Sequence, residues 1–259
     1  MATPTANNDA GPVDPLDPPS ATVPLSTMRR VIGARLLESK QNAPHFYLSV
    51  DIDIDPVLQL RERLKRENSI EVPSVNDCVV AATARALREV PSLNARIDGN
   101  RLRMFEYANI GVAVALPGGL VVPVLREADR KDLLTLGQEM RALAARARAN
   151  KLIPDDYRGA TFTVSNLGMF GVREFVAILN PPQAGILALG QAAPRPVVRS
   201  NELSIATVMT ATLSADHRVV DGVNGAQFLQ ALMQQLANPE SLLEPTPGSL
   251  DPAAVAGNP

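Results

Sequence analysis

The chain has 259 residues, of which 46% are hydrophobic and 20% charged, and its formal net charge at pH 7 is −2. This balance is typical of a globular protein and predicts one large α/β domain or two small ones. The near-neutral charge, three tyrosines and six phenylalanines provide neither the basic field nor the stacking surfaces of a nucleic-acid-binding protein. No apolar run is long enough for a transmembrane helix, so no membrane partner is expected.

The two ends of the chain differ in composition from its middle. Residues 1–22 are rich in proline and poor in large apolar side chains, so we expect a flexible linker there, and residues 244–259 predict a flexible tail. The first twenty residues lack lysine, arginine and an apolar core, unlike signal or transit peptides. We therefore predict one domain over residues 23–243, in a bacterial cytoplasm rather than a mitochondrial matrix.

Five helices are predicted from apolar residues at helical spacing. Ser26 and Ser74 are expected to cap the first and the third of them. Cys78 lies in the apolar run of the third helix, where a thiol is expected to be a small core residue rather than a nucleophile. A single cysteine also excludes an intramolecular disulfide. The predicted helices cover residues 27–39, 56–67, 75–89, 132–149 and 223–236.

Eight strands are predicted from alternating or continuous apolar runs between turn residues. Residues 98–100 and 117–119 are expected to form hairpin turns. Helices interleaved with paired strands indicate a mixed sheet with helices over one face, rather than a doubly wound parallel sheet. The predicted strands cover residues 46–54, 94–97, 101–105, 110–116, 120–125, 161–165, 185–189 and 203–213.

A polar hinge follows the last predicted strand and holds His217, one of two histidines in the chain. Asp221 lies four residues later, ahead of the last predicted helix. An imidazole held in a turn close to a carboxylate suits a general base. The same spacing fits an exposed histidine followed by an aspartate that caps the helix. The residues alone leave both interpretations open.

Residues 216–222, DHRVVDG, resemble the signature of the dihydrolipoamide acyltransferase catalytic domain of 2-oxo acid dehydrogenase complexes. Four other segments resemble the same family, in the family's order, and the five together cover about residues 22–243. These segments are 23–30 (VPLSTMRR), 44–48 (PHFYL), 119–124 (GLVVPV) and 161–171 (TFTVSNLGMFG). The last of them and residues 180–184 (NPPQA) are most similar to the pyruvate-type members.

The resemblance implies a chloramphenicol-acetyltransferase-like α/β (α+β) fold, with a central mixed β-sheet, helices packed on one side and a trimeric assembly. It implies transfer of an acyl group, acetyl in the pyruvate-type members, between dihydrolipoamide and coenzyme A in the core of a pyruvate dehydrogenase complex. Coenzyme A is then a substrate, a lipoyl domain supplies the lipoyl group in trans, and no metal is needed. Other subunits of the complex are the further partners that it implies.

The family pattern assigns roles to three residues of this sequence. Its catalytic histidine corresponds to His217, its acidic partner to Asp221, and its hydroxyl donor to the oxyanion to Ser165. A thiol with a pKa of ~8.5 is mostly protonated at neutral pH, and an imidazole with a pKa of ~6.5 is suited to take its proton. In the family the substrates enter a channel between subunits, so His217 and Ser165 are expected to come from different chains.

Each of these residues has a structural alternative. Ser165 could simply close the turn before Gly168. Asp221 could hold its loop by pairing with an arginine of the basic first helix, without touching His217. Asn224 is expected to line the substrate site or to cap the last helix. His45 is expected to line the substrate site or to anchor the start of its strand through a hydrogen bond.

Two other functions stay open on the sequence. Because no lipoyl domain fits ahead of Val23, a coenzyme-A-dependent acyltransferase with another acceptor is one alternative. A non-catalytic scaffold subunit is the other, although the presence of His217, Asp221 and Ser165 together argues against it. Family members dock an apolar chain end, corresponding here to residues 242–243, into a neighbouring trimer to build a cage. Since a polar tail follows those residues, we expect a trimer without a cage.

Overall fold

The structure is a computed structural model that describes residues 16, 18, 23–67, 71–116 and 119–248. The predicted linker (residues 1–22, apart from 16 and 18), the turn residues Pro117 and Gly118, and the tail beyond residue 248 lie outside the described residues. The predictions made for those segments stay predictions. Within the described ranges, no helix is long and apolar enough to cross a membrane.

The predicted helices are all present, and capping side chains set where four of them begin, with Asp221 at the start of the last one. Ser26 accepts a hydrogen bond from the backbone N–H of Arg29, and Ser74 forms a reciprocal capping box with Asp77. Asp132 caps the fourth helix. The helices are α1 (Thr27–Asn42), α2 (Asp55–Arg66), α3 (Val75–Glu89), α4 (Leu133–Arg148) and α5 (Gly222–Ala237).

The strands form one large mixed sheet and two separate hairpins. The main sheet has the order β1-β11-β9-β8-β4-β7, and β10 pairs with β11. β4 runs parallel to β8 and β8 runs parallel to β9, whereas the other neighbours are antiparallel. The strands are β1 (His45–Asp53), β2 (Ala95–Asp98), β3 (Arg101–Met104), β4 (Ile110–Val112), β5 (Val114–Leu116), β6 (Gly119–Val121), β7 (Val124–Leu125), β8 (Phe162–Asn166), β9 (Gly185–Leu189), β10 (Ala193–Arg199) and β11 (Glu202–Asp216).

Two segments that were each predicted as one continuous buried strand are each divided into two strands. Residues 110–116 divide into β4 in the main sheet and β5 in a hairpin with β6, and residues 120–125 divide likewise into β6 and β7. The chain changes sheets where the N–H of Val112 donates to the carbonyl of Pro123, a residue with no N–H of its own for a ladder. The hairpin strands are partly exposed, because they leave the main sheet.

The sequence prediction also missed β10 and ended β11 too early. Pro194 and Pro196 lie inside β10 and made this segment unlike a strand. Proline is tolerated there because β10 pairs with β11 alone, so one edge of β10 needs no partner. β11 continues to Asp216, three residues beyond its predicted end, and this extension brings His217 directly to the end of the strand.

Helices α2, α3, α4 and α5 contact one another and cover one face of the main sheet, with α1 outside this layer. The ring of Phe162 on β8 contacts that of Phe228 on α5, at 5.5 Å between centroids. Because side chains alternate along a strand, Val164 faces the same helices, and Thr163 and Ser165 point to the opposite face. The two faces of the sheet are therefore chemically different.

The end of the described chain lies against α3. Leu242 is fully buried in the chain's own core. Arg85 donates to the carbonyl of Glu244, and Arg88 donates to the carbonyls of Pro247 and Gly248. Three residues of the predicted tail, Glu244, Pro247 and Gly248, are therefore hydrogen-bonded to the body of the protein.

Cys78 is buried inside α3, as predicted. Burial raises the pKa of its thiol to about 12, and the negative charge of Asp77 acts in the same direction. The thiolate is the reactive form of cysteine, so this position makes the residue unreactive near neutral pH.

We expect native Cys78 to resist Ellman's reagent at mildly alkaline pH, since a thiol with a pKa of about 12 is almost wholly protonated there. The protein unfolded in urea should react fully and serves as the internal control. Cys78→Ala should lower the free energy of unfolding by about 1–2 kcal/mol through lost packing. Rapid reaction of the native protein would contradict the buried position.

Candidate active site

His217 is exposed at the end of β11, and its backbone is hydrogen-bonded to the neighbouring strand. Its N–H donates to the carbonyl of Pro44, at 2.9 Å, one residue before β1 begins. Its imidazole contacts the ring of Phe46, with 4.6 Å between centroids and planes tilted by 51°. In the described part of the chain neither ring nitrogen of His217 makes a hydrogen bond, so both are available to a ligand.

Asp216 and Arg218 form a clamp around the backbone of His217. The buried carboxylate of Asp216 accepts from the backbone N–H of Arg218 at 3.0 Å, from its Nε at 2.9 Å and from its Nη2 at 2.6 Å. This bidentate pairing raises the pKa of the Arg218 guanidinium. The carbonyl of Asp216 accepts from the N–H groups of Val219 and Val220. These bonds close the turn that holds His217. The sequence analysis did not identify Asp216 and Arg218 as a pair.

Asp221 and Asn224 cap α5. Asp221 Oδ1 accepts from the backbone N–H of Asn224 at 2.8 Å, and the Asn224 side chain accepts in return from the N–H of Asp221. The helix-capping alternative is thus present for both residues. The arginine partner considered for Asp221 is absent among the salt bridges of the described residues of a single chain.

Ser165 lies near the end of β8, half-buried on the face away from the helices. Its hydroxyl makes no hydrogen bond to the described residues. The turn that follows is closed by its neighbour, since Asn166 Oδ1 accepts from the N–H of Gly168 at 2.8 Å and its amide donates to Asn76. The turn-closing role considered for Ser165 therefore belongs to Asn166, and the Ser165 hydroxyl is free to donate to a ligand.

His217 and Ser165 are far apart within one chain. Ser165 is opposite Ala188, and Ala188 is opposite Thr212, so Ser165 lies two strands from β11 and level with Thr212. His217 follows Thr212 along β11 by five residues. With strands ~4.8 Å apart and a rise of ~3.3 Å per residue, the two Cα atoms are separated by roughly 19 Å.

The two side chains also point to opposite faces of the sheet. Ser165 faces away from the helices, whereas His217 contacts Phe46, which lies beside α5. No rotation of a side chain joins groups so placed.

His45 uses both ring nitrogens inside the chain. Nδ1 lies 2.8 Å from the carbonyl of Ala43, and Nε2 accepts from the backbone N–H of Leu179 at 3.1 Å. Since Nε2 accepts, the ring is the neutral tautomer with its proton on Nδ1. Ser39 on α1 donates to the carbonyl of the same Leu179. The geometry therefore shows the strand-anchoring contact, which joins α1 and residue 179 to β1.

The described residues contain no cluster of three or more histidine, cysteine, aspartate or glutamate side chains arranged to hold a metal ion. The groups that the geometry offers for chemistry are an exposed imidazole and an unpaired hydroxyl. Those two groups suit proton transfer and the stabilisation of an oxyanion.

The sequence matches the family 2-oxoacid dehydrogenases acyltransferase (catalytic domain) over residues 17–244. The dihydrolipoyllysine-residue acetyltransferase component of pyruvate dehydrogenase complex from Rickettsia bellii (strain RML369-C) is 45% identical over 224 residues, which is 85% of this chain and 53% of that protein. The chain spans about half the length of the curated relatives it matches.

Solved structures show the same fold. One is the structure of Azotobacter vinelandii dihydrolipoamide acetyltransferase, which was investigated for the role of a serine, a histidine and an asparagine in its catalytic mechanism. It is similar to this chain with a TM-score of 0.83 and a sequence identity of 33%, and the match covers 90% of this chain and 100% of that chain. The structure of the cubic core of the pyruvate dehydrogenase multienzyme complex matches with a TM-score of 0.83 and a sequence identity of 32%, and it covers the same shares of the two chains. A chloramphenicol acetyltransferase matches with a TM-score of 0.51 over 78% of this chain and 94% of that chain. Because its sequence identity is only 16%, this match shows similarity of fold alone.

These similarities confirm the predicted chloramphenicol-acetyltransferase-like fold with its central mixed sheet. The family match extends over most of the chain and includes His217, Asp221 and Ser165. The chain belongs to the 2-oxoacid dehydrogenase acyltransferase family, through its catalytic domain.

Proposed function

We propose that this protein transfers an acetyl group between dihydrolipoamide and coenzyme A, as the catalytic core of a pyruvate dehydrogenase complex. The relatives that resemble it at 45% and 46% identity are named as the acetyltransferase component of that complex. Dihydrolipoamide would reach the site on a lipoyl domain, and coenzyme A would be the second substrate.

The spacing of three residues carries this proposal. The serine and the histidine investigated in the Azotobacter vinelandii enzyme are the same number of residues apart as Ser165 and His217. The asparagine of that enzyme follows its histidine at the spacing of Asp221 from His217. This chain thus has a carboxylate where that enzyme has a carboxamide, and Asp221 here caps α5.

In the proposed reaction, His217 takes the proton of the coenzyme A thiol, and the thiolate attacks the carbonyl carbon of the acetyl-dihydrolipoyl thioester. The carbonyl oxygen becomes an oxyanion and accepts a hydrogen bond from the Ser165 hydroxyl. Collapse of the tetrahedral intermediate breaks the bond to the lipoyl sulfur, which recovers the proton from the His217 imidazolium. One such oxyanion donor typically contributes roughly 3 kcal/mol to the stability of the transition state.

The site is proposed to form between two chains. The roughly 19 Å between His217 and Ser165 exceeds the reach of one bound thioester, and the two side chains face opposite ways. A cavity beside the turn at Asp216 and Arg218 holds about 190 Å³, which is below the roughly 300–1,000 Å³ of typical ligand pockets. A second chain that brings its His217 to Ser165 of the first would complete the site, and three identical contacts of this kind close a ring.

We expect His217→Ala to lower kcat by two to four decades, because it removes the general base, while circular dichroism and thermal unfolding stay close to wild type. The assay is acetyl transfer from acetyl-coenzyme A to free dihydrolipoamide. His45→Gln is the control, since it alters the other histidine and should act on stability or substrate binding. Near-normal kcat in folded His217→Ala would remove this residue from the mechanism.

A complementation experiment tests the shared site. His217→Ala and Ser165→Ala should each be nearly inactive alone, the second by about 100-fold. Co-expressed with different tags and isolated as mixed trimers, they should regain about a third of wild-type activity, because one of the three interfaces in each mixed trimer pairs an intact His217 with an intact Ser165.

Ser49→Ala paired with His217→Ala is the matched control, since Ser49 lies in the same row of the sheet as Ser165 and is bonded to Thr212. Every chain of that mixture retains Ser165. Its activity should therefore equal the fraction of chains that have an intact His217. No recovery in the first mixture would show that each chain builds its own site.

We expect a trimer of about 80 kDa, from chains of 27.6 kDa, and no cage. Leu242, the apolar side chain considered for docking between trimers, is buried in its own chain, and Arg85 and Arg88 hold the residues that follow it. Light scattering coupled to size exclusion measures the mass. A megadalton particle would contradict the prediction, and a cage formed only after deletion of residues 244–259 would identify the tail as the block.

A further inference from the structure

We propose that Phe46 is a positioning residue that fixes the orientation of the His217 imidazole. The proposal rests on the proposed function, in which His217 is the general base. It concerns a residue that does not itself touch the reacting atoms.

The backbone at His217 leaves only its side-chain torsions free. The N–H of His217 is bonded to the Pro44 carbonyl, and the N–H of Asp216 is bonded to the carbonyl of Ala184. The peptide is therefore tied to chain segments on both of its sides. Rotation about χ1 between staggered positions would still move the ring nitrogens by several ångströms.

The Phe46 ring restricts that rotation. With 4.6 Å between centroids and an interplanar angle of 51°, the two rings adopt the tilted arrangement that aromatic pairs prefer. In the described part of the chain, Phe46 is the only aromatic ring in contact with His217, and no hydrogen bond orients the imidazole. The contact leaves Nδ1 and Nε2 unbonded, and a proton acceptor needs one ring nitrogen free.

Phe46 also packs against α5. A Cβ atom built on Gly225 would lie 2.7 Å from Leu48 Cδ1 and 3.5 Å from Phe46 Cε2, so the helix backbone passes directly over these side chains. The absence of a side chain at residue 225 creates this close approach. Phe46 thus packs against both the helix and the imidazole, and its place in the sheet is fixed by pairing with Ala215.

A base that must stay within hydrogen-bond reach of a thiol loses rate when it samples other rotamers, since small misplacements cost large factors. Substrate affinity does not depend on that orientation to the same degree. The structure therefore assigns to Phe46 an effect on kcat rather than on KM.

The test compares Phe46→Leu, which removes the ring, with Phe46→Tyr, which keeps it. We expect kcat to fall about tenfold in Phe46→Leu, with KM for acetyl-coenzyme A within about twofold of wild type, and kcat in Phe46→Tyr to stay within about threefold. Phe105→Leu is the matched control: Phe105 is also half-buried, but its ring packs against Arg96 and makes no ring contact with His217 in the described part of the chain. Phe46→Met, closer in volume, provides the same test if Phe46→Leu does not fold.

A nuclear magnetic resonance measurement reads the contact without any activity. The Cε1–H signal of His217, assigned by its loss in His217→Ala, should carry the ring-current shift of Phe46 and should move toward the value of a free histidine in Phe46→Leu or Phe46→Met. Phe105→Leu should leave it unchanged.

Wild-type kcat in a folded Phe46→Leu or Phe46→Met protein would overturn the inference and leave the proposed function intact. An inactive wild-type protein would instead contradict the proposed function. In that case the unchanged or altered Cε1–H signal still decides whether Phe46 orients the ring.

Discussion

The pairing of β11 with its neighbours is the constraint on which the rest of the structure depends. Nine consecutive residue pairs join β11 to β1, from His45 opposite Asp216 to Asp53 opposite Val208. On its other side β11 pairs with β9, which pairs with the strand that carries Ser165. Because side chains alternate along a strand, a shift of one residue would exchange the two faces of β11. The register thus fixes at once which side chains enter the core and where His217 leaves the sheet.

One strand therefore carries core side chains on one face and leads at its end to His217, the proposed base. Leu213 and its neighbours on the helix-covered face are buried in the core, whereas the other face pairs hydroxyl and charged groups, such as Ser49 with Thr212. Thr212 is buried on this face, and its hydroxyl is hydrogen-bonded to that of Ser49. At the end of the strand, the buried carboxylate of Asp216 turns the chain through its bonds to Arg218. His217, the proposed base, therefore lies where regular strand pairing ends.

The proposed site divides its groups between chains, and this division has a physical consequence. Each chain buries its own core and does not need a partner to place either His217 or Ser165. Within one chain the two groups are roughly 19 Å apart. A partner would bring its own His217 close to Ser165 of the first chain, and this proximity would complete the site. Asp221 and His45, by contrast, hold local structure within a single chain. Both lie in segments that resemble the family, and in a single chain both make contacts that hold local structure, a helix cap and a strand anchor.

The amino-acid sequence by itself determined the five helices, most strands and the family, because capping residues, apolar periodicity and the segment 216–222 are local patterns. It also identified Cys78 as a core residue. The tertiary structure alone decided the sheet order, the division of residues 110–125 between two sheets, and the strand at 193–199 that Pro194 and Pro196 concealed. Only the fold could show that Phe46 contacts His217 and that Leu242 is buried. Those facts depend on pairing between residues distant in sequence, which no local pattern encodes.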